Sequence, residues 1–196
     1  STIPAWYSEN AYSHLNKDNT INDNVRVSLQ VDFEENGKIY NVGYNGINQE
    51  KRATYNFYLF AKSEQTLHLT VSIQINNQTS CSSAIIINDA NWKRYDAQFL
   101  ATETASNATF SIQCQETGTL YLGFCSLMPA ETFHGHGLRK DLAEKLEQMH
   151  PSFLRFPGGC IVEGFTLETA MFFCNTVGPV WERPSHWLLW HYRTTN

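Results

Sequence analysis

Hydrophobic and polar residues alternate along the first two thirds of the chain. Val25, Val27, Leu29 and Val31 are separated by polar residues, and the same period recurs over residues 67–75. A period of two turns one face of a strand toward a core and the other toward solvent. Further strands are predicted at 55–61, 84–87, 95–100, 108–114 and 120–127, with turn signals at Asn36-Gly37, Asn45-Gly46 and Asn76-Asn77. Many short strands without a helical period predict an antiparallel β-sandwich over residues 1–128.

The pattern changes after Met128-Pro129. Leu138, Leu142, Leu146 and Met149 are spaced four, four and three residues apart, which predicts a helix over 138–149 with one apolar stripe. His150-Pro151 ends this helix, because the residue before proline avoids the α region. A short apolar strand is predicted at 153–156, followed by two glycines. Helix, strand and glycine turn predict a second, α/β unit over residues 129–196.

Composition and charge narrow the function classes. The chain has 196 residues, 42% of them hydrophobic and 17% charged, as expected for an ordered globular protein. A net charge of −5 argues against a nucleic-acid partner, since phosphate tracks require clustered lysine and arginine. No apolar run approaches the ~20 residues of a membrane span. The five cysteines form no CxxC pair, and His134 and His136 lack a third ligand, so we expect no metal site. We expect no cofactor either.

Two Asn-X-Thr sequences are acceptors for N-glycosylation, at Asn77 and Asn107. They are compatible with a secreted or extracellular protein. They support that localisation weakly, because a chain this rich in asparagine, serine and threonine supplies about two such sequences by chance. No signal peptide is visible at Ser1.

The run from Phe153 to Gly164 carries the most specific signal. Arg155 precedes Pro157-Gly158-Gly159, where a backbone without side chains lets a ligand come close. The run resembles the "RFPGG" signature of α-L-arabinofuranosidases of glycoside hydrolase family 51. Stretches 126–129, 135–142, 176–179 and 182–184 resemble the same family, and residues 41–47 and 92–95 look like its carbohydrate-binding-type sandwich.

The resemblance implies a retaining glycoside hydrolase that removes terminal arabinofuranosyl residues from hemicellulose, pectin or glycoproteins. In the family, two glutamates on a (β/α)₈ barrel perform the reaction. Neither glutamate's local motif occurs here, and a barrel usually takes ~250 residues. We therefore expect a jelly-roll, carbohydrate-binding-module-like sandwich followed by an incomplete TIM-barrel-type segment. No catalytic residue is assigned within the chain, and the chain alone is expected to be inactive.

The resemblance also implies part of a sugar pocket. The substrate-binding candidates are Arg155, Gly158, Gly159, Cys160 and Glu163. Arg155 has an alternative role in a buried structural ion pair. Cys160 is interpreted as pocket lining or core, and not as a nucleophile. Trp187 and Trp190 are candidates for sugar stacking, but a hydrophobic plug in the barrel's outer loops is the favoured interpretation. Phe165 and Ser185 depart from the family pattern, which puts substrate binding in question.

A second hypothesis is a non-catalytic carbohydrate-binding or structural module derived from such an enzyme. The same residues 129–196 would leave an apolar face exposed, which normally marks an interaction site. The expected partners are an arabinose-containing polysaccharide or glycoprotein, and either a second copy or the remainder of the barrel.

Overall fold

The computed structural model describes residues 3, 5–155, 166–168 and 170–184. Within them the chain forms nine strands, one α-helix and two 3₁₀ turns, the turns at Phe173–Thr176 and Val180–Glu182. The helix α1 is Lys140–Gln148. The strands are β1 (Trp6–Asn16), β2 (Ser28–Asn41), β3 (Ile47–Gln49), β4 (Thr54–Lys62), β5 (Leu67–Ile75), β6 (Gln78–Ile87), β7 (Lys93–Leu100), β8 (Ala105–Cys114) and β9 (Gly118–Pro129).

All strand pairs are antiparallel and join into one sheet. The order is β6-β5-β8-β2-β9-β4-β7, with β1 also paired to β2 and β3 to β8. The first half of β2, residues 29–33, pairs with β9, and its last residues, 38–41, pair with β8. Strand β2 therefore passes from one half of the sheet to the other, and the two halves face each other in a nearly closed barrel.

The bend of the sheet is built from residues with left-handed backbone angles. Asn36 in β2 has φ 57°, and Asn10 in β1 has φ 48° where the β1–β2 register shifts. A Cβ on Gly37 would lie 2.4 Å from the carbonyl oxygen of Asn10, so the two backbones cross with no room for a side chain. Bulges of this kind sharpen strand curvature. They allow β1 and β2 to bend so that each strand contributes to both halves of the sheet.

The core lies between the two halves. Phe57 is central, with its ring centroid 6.1 Å from that of Phe99 and 4.8 Å from that of Phe110. Buried and less buried residues alternate along β4, as the period of two predicts, and along the first half of β5; further along β5, Ser72 is buried as well as Val71 and Ile73. The other large, fully buried side chains come from both halves: Ile39, Leu59, Leu67, Leu69, Ile73, Ile87, Ile112 and Leu120.

The prediction of a mostly β, antiparallel fold is confirmed. The turns at Asn45-Gly46 and Asn76-Asn77 have the positive φ angles that such sequences favour. The prediction of a turn at Asn36-Gly37 is wrong, because these two residues form a bulge inside β2 and do not connect two strands. Strands β1 and β3 were not predicted.

After Pro129 the outcome is different. Helix α1 lies within the predicted range 138–149, and none of its residues is buried. The predicted strand at 153–156 is not formed over its described residues 153–155, and Phe153 and Leu154 are 83% and 88% exposed. A strand needs hydrogen bonds from a neighbouring strand, and no described strand pairs with these residues. Residue 156 lies outside the described residues, and the barrel-type unit over 129–196 stays a prediction.

Candidate functional site

Arg155 is the one predicted pocket residue whose position the structure describes. It is exposed, at the end of the described stretch that follows α1. Gly158, Gly159, Cys160, Glu163, Phe165, Ser185, Trp187 and Trp190 lie outside the described residues. Both the sugar-binding role of Arg155 and its alternative role in a structural ion pair stay predictions.

Helix α1 presents an apolar face that no described residue covers. Leu142 and Leu146, one turn apart, are each more than half exposed, and neither belongs to the core between the sheet halves. The polar side carries Asp141, which accepts hydrogen bonds from the guanidinium of Arg139. The apolar stripe predicted from the spacing is present, but nothing described packs against it.

The loop between β9 and α1 contains two histidines, His134 and His136, separated by one residue. The rings of His134 and His136 are 6.5 Å apart, and Gly135 and Gly137 between and after them have positive φ. The backbone N–H of Gly137 donates to the hydroxyl of Thr132 at 3.1 Å, which closes the loop. In the part of the chain that the structure describes, no group of three histidine, cysteine or acidic side chains could hold a metal ion.

A segment near the C-terminus, residues 170–184, docks on the outer face of β4 and β9 through Trp181. The indole centroid lies 5.0 Å from the ring of Phe60, 5.6 Å from Tyr58 and 6.4 Å from Phe124. Tyr58 and Phe60 point away from the core because they alternate with buried residues of β4, and Phe124 lies on the same side because it pairs directly with Phe60. Trp181 therefore covers an aromatic patch that would otherwise face solvent.

Arg94 on β7 completes this contact. Its guanidinium lies 4.2 Å from the ring centroid of Tyr58 and 5.5 Å from that of Trp181. Asp96, two residues along the strand, accepts from Nε and Nη2 at 3.0 and 2.6 Å, which holds the guanidinium in place. Arginine stacks well on aromatic faces because its planar group is weakly hydrated. We call Tyr58, Phe60, Arg94, Phe124 and Trp181 the docking cluster.

Two asparagines fix the backbone of the docked segment. The side-chain amide of Asn22 donates to the carbonyl oxygen of Trp181 at 2.9 Å, and that of Asn24 donates to the carbonyl oxygen of Glu182 at 2.6 Å. Both asparagines lie in the connection between β1 and β2. The docked segment is therefore held by side-chain packing and by hydrogen bonds to its main chain.

Two of the four described cysteines, Cys114 and Cys125, have thiols that are poor nucleophiles. Cys81, Cys114, Cys125 and Cys174 are all free. Burial raises the pKa of Cys125 to about 12 and that of Cys114 to about 11. A thiol with so high a pKa is almost entirely protonated near neutral pH and is a poor nucleophile.

The two glycosylation candidates lie near one another. Asn77 occupies the β5–β6 turn with φ 64°, and Asn107 lies in β8. Both side chains are exposed, and the amide of Asn107 is 3.5 Å from the side-chain oxygen of Asn76. An oligosaccharide on either residue would project from the same end of the sheet.

Comparison with solved structures first defines the fold class. The CBM22-1 xylan-binding domain from Paenibacillus barcinonensis Xyn10C superposes with a TM-score of 0.53 at 12% identity, over 67% of this chain and 90% of that domain. The sheet therefore has the fold of such sandwich domains. An arabinose-bound family-51 α-L-arabinofuranosidase superposes with a TM-score of 0.86 at 29% identity, over 98% of this chain and 34% of that protein.

Sequence comparison gives the same family. A domain model described as "Alpha-L-arabinofuranosidase 1 domain" matches residues 145–196. Alpha-L-arabinofuranosidase 1 of Arabidopsis thaliana is 35% identical over 80% of this chain, and the extracellular exo-alpha-L-arabinofuranosidase of Streptomyces chartreusis is 29% identical over 97% of it. The chain is thus similar over nearly its whole length to α-L-arabinofuranosidases, and the resemblance stated from its motifs is confirmed. It spans 24% of the length of both relatives.

Sequence reasoning missed the docking cluster. The residues around Trp181 were noted only for their resemblance to a family motif. The available signal was weak: Tyr58, Phe60 and Phe124 are aromatic at outward positions of strands, where solvent would favour polar residues. No sequence pattern indicates which distant tryptophan covers them.

None of the described helices is long and apolar enough to cross a bilayer.

Proposed function

We propose that this chain is part of an α-L-arabinofuranosidase that removes terminal arabinofuranosyl residues from hemicellulose, pectin or glycoproteins with retention. The observation that carries the proposal is the superposition of 98% of the chain on an arabinose-bound arabinofuranosidase. The two glutamates that a retaining mechanism requires are placed outside these residues. A pair of carboxyls about 5–5.5 Å apart is needed.

Within the chain, the proposed contribution to the sugar pocket comes from Arg155, Gly158, Gly159, Cys160 and Glu163. Arg155 is exposed, and its guanidinium is a planar fork of donors that suits sugar hydroxyls. Trp187 and Trp190 are proposed to stack on the substrate at the edge of this pocket. We also propose two domains for this chain: a jelly-roll sandwich over residues 1–128 and a barrel-type segment over residues 129–196.

The test uses the full-length protein and an aryl α-L-arabinofuranoside. Replacing Arg155 by alanine should lower kcat/KM at least about tenfold, since hydrogen bonds to a charged group contribute roughly 1.5–3 kcal/mol. Arg139→Ala is the matched control, because Arg139 is also exposed and lies near the start of α1. Equal effects of the two replacements would contradict the assignment of Arg155. Turnover by the 196-residue chain alone would contradict the placement of the glutamates.

The second candidate function is a non-catalytic carbohydrate-binding or assembly module. The exposed leucines of α1 favour assembly, with a second copy or with the rest of a barrel, because exposed apolar stripes mark interaction sites. Sedimentation of the 196-residue chain tests this. Self-association that Leu142→Glu with Leu146→Glu abolishes supports it, and a monomer at all concentrations opposes it.

The proposed localisation is extracellular. It is supported by the name of the Streptomyces relative and by the exposed acceptors Asn77 and Asn107. Expression in a secreting eukaryotic host should add carbohydrate that a peptide N-glycosidase removes. Asn77→Gln and Asn107→Gln should each remove one modification, and unchanged mass in both variants would refute the assignment.

A further inference from the structure

One row of outward side chains crosses five strands on the half of the sheet that Trp181 does not cover. Tyr7 of β1 pairs with Tyr40 of β2, and Tyr40 pairs with Ser111 of β8. Ser111 pairs with Ser72 of β5, which pairs with Ser82 of β6. Directly paired residues project to the same side of a sheet. We call these five residues the tyrosine–serine row, and at ~4.8 Å between strands it spans roughly 19 Å.

The row faces outward because its sequence neighbours form the core. Ile39, Val71 and Ile112, each adjacent to a member of the row, are buried between the two halves of the sheet. Since side chains alternate along a strand, the row projects from the opposite surface.

The side chains of the row differ in size and exposure between its tyrosine end and its middle. At one end the rings of Tyr7 and Tyr40 stack with centroids 5.4 Å apart and planes 21° from parallel, and Tyr7 is 53% exposed. In the middle, Ser72 and Ser111 are buried, and their hydroxyls are hydrogen-bonded to each other at 2.7 Å. The stacked tyrosines are thus the part of the row that a ligand can reach, beside the partly exposed Gln113 and Thr70. Apolar surface with a few placed polar groups is the usual composition of a ligand site.

The charged side chains around the row are already paired. Lys38, beside Tyr40 on the same strand, forms an ion pair with Glu9 at 3.0 Å, and its ammonium lies 5.3 Å from the Tyr40 ring. His68 on β5 contacts Glu116 at 2.5 Å. Lys38 is the one lysine or arginine of the described strand segments that form this half of the sheet. An acidic polymer would therefore have to break an existing pair to gain a charge contact.

We propose that the tyrosine–serine row binds a neutral polysaccharide chain, at a site distinct from the pocket proposed around Arg155. A sugar ring would lie with its apolar face on the Tyr7–Tyr40 platform. Its hydroxyls would exchange hydrogen bonds with uncharged neighbours of the row, the outward-facing Gln113 and Thr70, which pair with each other across β8 and β5. Attachment at this second site would raise the effective concentration of the polymer at the enzyme.

The test is affinity electrophoresis of the 196-residue chain in native gels containing soluble arabinoxylan, linear arabinan or polygalacturonate. At least one neutral polymer should retard the protein, and polygalacturonate should not. Tyr7→Ala should weaken retardation at least about tenfold, since stacking on an aromatic side chain contributes roughly 1–3 kcal/mol. Tyr40→Phe, which keeps the ring, should retain binding.

Tyr12→Ala is the matched control. Tyr12 lies on the same strand, is 69% exposed, and pairs with Asp32 on the other half of the sheet, beyond the β1 bulge. It should leave retardation unchanged. No retardation by either neutral polymer, equal losses for the Tyr7 and Tyr12 variants, or stronger binding of polygalacturonate would each overturn the proposal. The readout is binding without arabinose release, so either outcome leaves the proposed hydrolase activity to its own test.

Discussion

Replacing Trp181 by alanine should release the docked segment 170–184 while the sheet stays folded. The indole contacts three rings at centroid distances of 5.0 to 6.4 Å and lies 5.5 Å from the Arg94 guanidinium. Because the site is half-exposed, we take the lower end of the usual range, about 0.5 kcal/mol for each of these four contacts. The expected loss is therefore about 2 kcal/mol, or roughly a 30-fold larger population of the open segment.

Hydrogen exchange of two amides measures this opening. The N–H groups of Glu182 and Arg183 bond to the carbonyl oxygens of Pro179 and Val180, within the docked turn. Their exchange should accelerate roughly 30-fold in the Trp181 variant, in proportion to the open population. The urea midpoint should hardly move, because Trp181 is not part of the core between the sheet halves.

The control for this experiment is Phe173→Ala. Phe173 belongs to the same segment but is exposed. Its removal should leave the exchange of both amides unchanged. Unchanged exchange in the Trp181 variant would refute the docking role. So would a fall in the urea midpoint as large as that caused by a core truncation.

Three further predictions concern stability, measured by urea unfolding. Leu59→Ala should lower the free energy of unfolding by about 2–5 kcal/mol because the side chain is fully buried. Leu142→Ala, on the exposed face of α1, should lower it by under about 1 kcal/mol. Similar losses in the two variants would contradict the assigned core. Gly46→Ala should cost more than Gly135→Ala. Both residues have positive φ, but a Cβ at 46 would also lie 2.4 Å from a carbonyl oxygen, while the space around 135 is open; a reversed order would contradict this backbone geometry. A hydrogen bond from the backbone N–H of His68 in β5 lowers the pKa of Glu116 in the folded chain. The ionised carboxylate therefore stabilises the fold at pH values above its ordinary pKa of about 4.3. This stabilisation is lost as the pH falls through the lower pKa of the folded chain. Glu116→Gln should therefore lose less stability on acidification than the unaltered chain, and identical pH profiles would refute the contribution.

The strands with strong alternation were predictable, and the edge strand was not. Strand β4 alternates between buried and outward residues over its whole length. Strand β1 buries only Ala11 and is otherwise half-exposed or exposed. A strand that is held mainly by main-chain hydrogen bonds to one neighbour leaves little hydrophobic pattern in its sequence. That explains why Tyr7 was not recognised as part of a surface.

Turn chemistry was read correctly at two positions and wrongly at a third for one physical reason. Asn-Gly and Asn-Asn sequences favour left-handed φ, and a hairpin turn and a bulge both require it. Asn45 and Asn76 use it to reverse the chain. Asn36 uses it to bend β2 around the corner of the sheet. Local sequence specifies the backbone angle, but the partner strands decide whether the chain reverses.

The candidate sites differ in the same way. The glycine-rich run after Arg155 was found because its residues are adjacent in sequence, and its role in the pocket stays a prediction. The docking cluster joins Tyr58 to Trp181, and the tyrosine–serine row joins Tyr7 to Ser111. Residues more than 100 positions apart come together only through the order of strands. A single sequence carries no direct signal for that order.

The core is formed by the strands and their links and excludes helix α1, so variants in the two regions should have different effects. The buried cluster draws all its residues from the strands and the links between them, up to Leu122, with partly buried support as far as Leu127. Helix α1 contributes none of them, although its leucines have the spacing of a buried face. A stripe left in water gains no hydrophobic stabilisation, so the stability of the sandwich should not depend on it. Changes before Pro129 should therefore alter unfolding, whereas changes in α1 and the Arg155 region should alter association or sugar binding with the sandwich intact. A variant of α1 that unfolds the strands at the same urea concentration as Leu59→Ala would show that the two regions share one core.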